Sequence, residues 1–341
     1  MRTGLAIILS IVSFVLTSAV RAHYVLADSY VGREFFDSWT WETMNDPTNG
    51  RVNYVSKGTA MGLNLSFASD EKFIMRADYR NVVPSSTRGR RSVRITSNKA
   101  YGDSVTVLDL EHMPEGCATW PAFWSLSQKG PWPAGGEIDI VEGVNLQTQN
   151  LMSLHTLPQC IMPQQRAHLG TVSSTNCDAS VNFNQGCGVN GPPGSYGAPL
   201  NAGRGGWFVM ARSKAEGVRV WFWARGDPNV PTEVSTHPIE GILGIGATGT
   251  PTLFPDPTWG PPTALFPMDS SCDYEKHFDD HQFVFDLTFC GDWAGNAYPN
   301  SGCPGSCTDY VDNHPEAFEN AFWEVNAVRV YTPVARSNKL L

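Results

Sequence analysis

The sequence predicts an all-β protein built as a sandwich of two sheets. Three observations carry this. Short runs of alternating β formers recur along the chain, helical periodicity is scarce, and 32 glycines and 24 prolines punctuate the 341 residues. A 41% hydrophobic, 17% charged composition suits one large domain with long loops.

Taken in order, residues 1–22 read as a secretory signal peptide. Arg2 is the positive end, Leu5 to Leu16 the apolar core, and Val20-Arg21-Ala22 the small-residue cleavage site. The apolar run is short for a membrane span, and residues 335–341 carry no hydrophobic tail of the kind a glycolipid anchor needs. The remainder, 23–341, is expected to form a single domain, secreted and extracellular.

Residues 24–100 read as short strands and turns. Phe35-Phe36-Asp37-Ser38-Trp39 and the stretch from Asp46 to Val55 place turn residues before β formers. In Arg91-Ser92-Val93-Arg94-Ile95-Thr96 the alternation puts Arg91, Val93 and Ile95 on one face and Arg94 with Ser92 and Thr96 on the other. The basic run from Arg88 to Arg91 reads as a solvated loop. Net charge −9 and a pI near 5.3 argue against nucleic-acid or anionic-membrane partners.

Val105 to Leu110 is a further strand, after which Trp120, Phe123, Trp124 and Trp132 gather. Trp124 and Trp132 are read as sugar-stacking residues and Trp120 as core. The acidic segment follows. In Glu137-Ile138-Asp139-Ile140-Val141-Glu142, alternation puts Glu137 and Asp139 on one face and Ile138 and Ile140 on the other. Glu142, five positions on, joins them only if a β-bulge inserts one residue near Ile140-Val141. Crowded carboxylates keep at least one proton near neutral pH, and one ionised carboxylate beside one protonated acid is what glycoside hydrolysis requires. A calcium loop would draw instead on Asp, Asn and carbonyls in a turn; no metal or cofactor is expected.

Met152 to Thr156, including His155, reads as the neighbouring strand. Residues 176–206 and 224–269 are long Gly/Pro-rich excursions, the first stapled by Cys177 and Cys187. Between them, Trp207 to Met210 and Gly217 to Trp223 form a hairpin. His281 to Gly295 is a strand entering a turn, and Phe322 to Tyr331 a closing strand. Eight cysteines suggest four disulfides in an oxidising compartment and leave their pairing open. Cys303 and Cys307 have the spacing of half a zinc site, but no second close pair accompanies them. Asn64-Leu65-Ser66 is an N-glycosylation sequon.

The acidic segment, with Cys117-Ala118-Thr119-Trp120-Pro121-Ala122-Phe123-Trp124 before it and Leu154-His155-Thr156 after it, resembles the ExDxxE active-site strand of glycoside hydrolase family 16. The likeness is to fungal laminarinase-like β-glucanases, in the variant with the bulge. This resemblance implies a jelly roll of the concanavalin A-like lectin and glucanase type with a concave carbohydrate cleft. It further implies Glu137 as nucleophile, Glu142 as acid/base, and Asp139 holding the pair in complementary protonation states. By the same resemblance His155 tunes the acid/base, Arg94 and Asn53 donate to sugar hydroxyls, and Trp293 is a cleft tryptophan. The implied activity is retaining endo-hydrolysis of β-1,3 or mixed β-1,3/1,4 glucan by a monomer. A transglycosylase remodelling cell-wall glucan and a non-catalytic glucan-binding protein are the alternatives.

Overall fold

A computed structural model describes residues 23–236, 251–255 and 257–334; the expected signal peptide and the C-terminal seven residues lie outside these. Two antiparallel sheets face each other as a jelly roll. One sheet runs in the order Thr252–Leu253, Tyr24–Tyr30, Phe322–Pro333, Ser104–His112, Gly206–Ser213, Gly217–Ala224, Ala264–Phe266, with Phe73–Arg76 and Ser66–Ala68 attached alongside Phe322–Pro333. The other runs Thr171–Val172, Cys187–Asn190, Leu151–His155, Glu137–Glu142, Thr119–Ser127, His281–Phe289, Arg94–Ser97, Trp39–Trp41. This second sheet carries the acids.

Alternation in the long strands builds the layer between the sheets. Phe283, Phe285 and Phe123 stack at centroid distances of 4.3–5.7 Å, and Phe285 meets Trp323 of the opposite sheet edge-on at 5.3 Å. All four are buried. Such aromatic contacts add about 0.5–1.5 kcal/mol each beyond area burial. Because the inner positions are fixed this firmly, the outer positions of the same strands are fixed too, and those hold the polar residues.

Four disulfides form: Cys117–Cys303, Cys160–Cys272, Cys177–Cys187 and Cys290–Cys307. Cys303 and Cys307 go to different partners, so their zinc spacing is incidental. Three expectations are corrected. Glu34–Ser38 is a short helix ahead of the strand Trp39–Trp41, not a turn. Arg91 is exposed and does not share the buried layer of Val93 and Ile95, because the chain changes partner there: Arg90–Ser92 pairs with Val52–Tyr54 and Arg94–Ser97 with His281–Phe289. Arg90 is fully buried rather than solvated. Its guanidinium donates to the carbonyls of Val311, Asp78 and Asn81 and lies 4.5 Å from the Phe318 ring. Burial lowers its pKa to about 10.

Candidate active site

The acidic strand is framed by glycines for local reasons. Gly136 has φ +85°, and a Cβ on it would fall 2.6 Å from the His277 carbonyl oxygen; a Cβ on Gly143 would fall 2.7 Å from Tyr196 Cζ. Between them the register against Thr119–Ser127 slips by one. Asp139 opposes Trp124, Val141 opposes Phe123, and Ile140 is the extra residue. Ile140 and Val141 are both buried, so two consecutive apolar side chains face inward and Glu142 returns to the outer face with Glu137 and Asp139.

The bulge leaves backbone groups in need of partners, and a buried side chain supplies them. Asn150 Nδ2 donates to the Ile140 carbonyl at 2.8 Å, and the Glu142 N–H donates to Asn150 Oδ1 at 2.8 Å. Asn150 N–H in turn donates to Ser195 Oγ at 3.0 Å. One amide therefore spans the irregularity that aims Glu142.

Register sets the neighbours on the outer face. Glu137 lies opposite His155, Asp139 between Trp124 and Ser153, and Glu142 opposite Ala122, which pairs in turn with Asp286 and then Arg94. Trp132 Nε1 donates to Glu137 Oε2 at 2.8 Å, and Trp120 Nε1 to Glu142 Oε1 at 2.8 Å. Each glutamate thus has its own indole. Asp139 Oδ2 accepts from Ser153 Oγ at 2.6 Å and lies 3.3 Å from His155 Nε2. His155 Nδ1 donates to Asn184 Oδ1 at 2.8 Å.

With an acceptor at each nitrogen, the site favours the charged imidazolium form of His155. Burial opposes that charge, but the hydrogen bond to Asp139 and the charges of Asp139, Glu137 and Glu142 outweigh it and raise the pKa to about 10. Burial, then the Asp139 charge, raises Glu137 to about 8 and Glu142 well above the usual carboxyl range. His155 and Arg94 both draw Glu137 downward, whereas for Glu142 the histidine is the cation that does so. One ligand atom each of Glu137, Asp139 and His155 falls within 4.8 Å of the others.

The expected binding residues divide. Trp132 is exposed, 6.3 Å from the His155 ring. Trp124 is half-buried; its indole donates to Asp286 Oδ2 at 3.2 Å, and Arg94 stacks 5.0 Å from its ring. Arg94 itself is buried, its Nη1 3.4 Å from Asp286 Oδ2, so it steadies Trp124 and Asp286 rather than standing free in the cleft. Asn53 Oδ1 accepts from Arg88 Nη2 at 2.6 Å. Trp293 is half-buried in the turn Gly291–Gly295 and meets Trp120 edge-on at 5.7 Å. Asn64 is exposed.

Trp120 is therefore no core residue. It is half-buried, on the outer face, and bonded to Glu142. Strand parity contained the signal, since Trp120 and Trp124 are four apart and must share a face. Asp286 was likewise missed, although Phe283, Phe285 and Leu287 alternate inward around it. Burial lifts its carboxyl to about 7 against the pull of Arg94. Asn184 comes from a loop with no periodic signal.

Two glutamates crowded on one face, both held above the ordinary carboxyl range by burial and the Asp139 charge, suit two-carboxylate sugar-bond cleavage, and on a jelly roll they point to a glycoside hydrolase. A family model described as the XgeA-like, catalytic GH16 domain matches residues 39–331, and the chain belongs to glycoside hydrolase family 16. A probable glycosidase of Schizosaccharomyces pombe is 41% identical over 313 residues, 90% of this chain and 69% of that protein. A probable endo-1,3(4)-beta-glucanase of Aspergillus niger is 38% identical over 96% of this chain but only 43% of its own length. The chain thus spans less than half of that relative. Among solved structures, laminarinase 16A of Phanerochaete chrysosporium, with 6-O-glucosyl-laminaritriose in donor and acceptor sites, superposes with TM-score 0.84 at 45% identity, covering 91% of this chain and all of that one. An elongating family 16 beta-1,3-glucosyltransferase gives 0.79 at 35%, with the same coverage.

Proposed function

We propose that this protein is an endo-acting β-1,3(4)-glucanase that cleaves internal β-1,3 and mixed β-1,3/1,4 bonds with retention of configuration. Glu137 attacks the anomeric carbon while Glu142 gives its proton to the departing glycosidic oxygen, leaving a glycosyl ester on Glu137. Glu142, now ionised, takes a proton from water as the water oxygen attacks the same carbon and the ester bond breaks, which restores both carboxyls. Asp139, clamped by Ser153 and His155, lies between them in sequence and discourages simultaneous ionisation. Trp132 orients Glu137 and offers the sugar an exposed indole face; Trp124 and Trp293 line the same face of the sheet.

The observation that carries this reading is the bulge at Ile140, which turns three acids toward one face and gives each glutamate a separate indole donor. The eight paired cysteines support action in an oxidising, extracellular setting, where Asn64 would be open to glycosylation.

The test is to incubate purified protein and its Glu137→Gln variant with β-1,3-glucan, mixed-linkage glucan and xyloglucan, sizing products and following the anomeric signal by NMR. Short β-anomeric oligosaccharides from the first two substrates, absent with the variant although it still binds, are expected. Unchanged turnover by Glu137→Gln would remove that residue from the nucleophile's role. Likeness to the elongating glucosyltransferase favours a second reading, in which a sugar hydroxyl replaces water in the second step; products longer than the substrate would establish it.

A further inference from the structure

The backbone beside His155 contains a turn that neither packing nor local propensity explains. Asn182, Phe183 and Asn184 have φ of 51°, 56° and 60° in succession, a short left-handed turn. Asparagine tolerates this region because its short amide can bond locally, but a bulky residue there is an outlier. Phe183 is also fully exposed, so burial offers nothing in return for the strain.

The turn is nonetheless held firmly. Asn184 Oδ1 accepts the His155 Nδ1 proton at 2.8 Å. Gly186, at φ +64°, lies so close that a Cβ would fall 2.8 Å from His155 Cε1, and the Cys177–Cys187 disulfide closes the base. The segment then enters the sheet as Cys187–Asn190, hydrogen-bonded to Leu151–His155. Phe183 therefore stands one residue from a group that touches His155, which itself touches Asp139. Trp132, also exposed, lies 6.3 Å from the His155 ring. Strained residues persist where surrounding structure over-determines them, and they cluster at ligand clamps.

We infer that Phe183 is a glucan-stacking residue: its ring receives the apolar face of a glucopyranose unit beyond the unit undergoing cleavage, extending the platform that begins at Trp132. The ligand class is a β-linked glucose chain long enough to reach from the acids to the loop. This rests on the glucanase reading above. The residue sets preference for chain length and takes no part in bond breaking.

The experiment uses Phe183→Asn, Phe183→Gly and Phe183→Trp, each in the full chain. Calorimetric binding of laminari-oligosaccharides of increasing length is measured in a Glu137→Gln background, with thermal midpoints and wild-type-background kinetics alongside. Asn and Gly suit the left-handed backbone, so their midpoints should rise. Their affinity for long oligosaccharides should nevertheless fall about tenfold, ~1.4 kcal/mol, with affinity for the shortest binders unchanged. KM for polymeric glucan should rise while kcat holds, and Phe183→Trp should retain wild-type affinity. Unchanged affinity at every length, or loss of affinity for short and long ligands alike with a lowered midpoint, would overturn the stacking role. A Glu137→Gln parent that binds no glucan of any length would instead sink the glucanase reading, and this inference with it.

Discussion

Glu137 and Glu142 each accept one indole N–H, and the two tryptophans can be stripped of that donor separately. Trp132→Phe removes the bond to Glu137 and Trp120→Phe the bond to Glu142, while both keep an aromatic ring in place. Each bond favours the ionised carboxyl. A hydrogen bond to a charged group contributes roughly 1.5–3 kcal/mol, and both sites are partly open to solvent, so the lower end applies. At about 1.4 kcal/mol per pH unit, the loss raises the affected carboxyl by about one unit, and by less at the exposed Trp132.

The assay is the pH dependence of kcat/KM on a laminari-oligosaccharide, whose limbs report the free enzyme's base and acid. The nucleophile must be ionised and the acid protonated. Trp132→Phe should therefore move the acidic limb upward, and Trp120→Phe the alkaline limb upward, each leaving the other limb nearly still. The two limbs belong to a coupled pair, so a small companion shift is expected. If the variants move the opposite limbs, the roles of Glu137 and Glu142 are exchanged. If neither limb moves, the indoles do not control the carboxyls.

Three further outcomes follow from the same site. Glu137 holds its proton in the fold up to about pH 8 and would release it near 4.5 when unfolded, so the folded state binds the extra proton and stability falls as pH rises between those values. His155 stabilises fully below 6.5 and loses that contribution as pH climbs through about 10. The thermal midpoint should thus decline from mildly acidic to alkaline pH, by on the order of 2–3 kcal/mol for each group after coupling, and Glu137→Gln should flatten the first part; a midpoint rising across this interval would contradict the assignment. Asn150→Leu strands the Ile140 carbonyl and the Glu142 N–H, and should cost about 2–5 kcal/mol in denaturant unfolding together with a collapse of kcat; near-wild-type kcat would mean that the bulge holds without its amide. Replacing Cys177 and Cys187 by serine frees a ten-residue closure and should cost about 2–3 kcal/mol, with a lower alkaline limit for charged His155, read by NMR titration, as Asn184 loosens.

Much of this was legible because strands enforce parity. The alternation of Glu137, Ile138 and Asp139 fixed which side chains meet the core, and back-to-back Ile140 and Val141 before Glu142 pointed to the inserted residue. Parity applied more strictly would have moved Trp120 to the outer face beside Trp124 and brought Asp286 out with Thr288. The rest depends on partners remote in sequence. Arg90 looks like any surface arginine until the Val311 carbonyl, more than two hundred residues away, is seen accepting from it. Asn150 and Asn184 act through single hydrogen bonds from irregular chain, where no period marks them, and cysteine spacing constrains pairing too weakly to choose Cys117–Cys303 over its rivals.

The extra residue at Ile140 also determines which genetic changes this site can survive. Loops elsewhere absorb insertions, and most single substitutions on a strand are local. Removing one residue between Asp139 and Glu142 is different: it abolishes the bulge, restores plain alternation so that the second glutamate still faces outward with Glu137 and Asp139, and leaves the Asn150 amide with nothing to bridge. Strands with and without the bulge can therefore present the same three acids and be separated by a single one-residue length change.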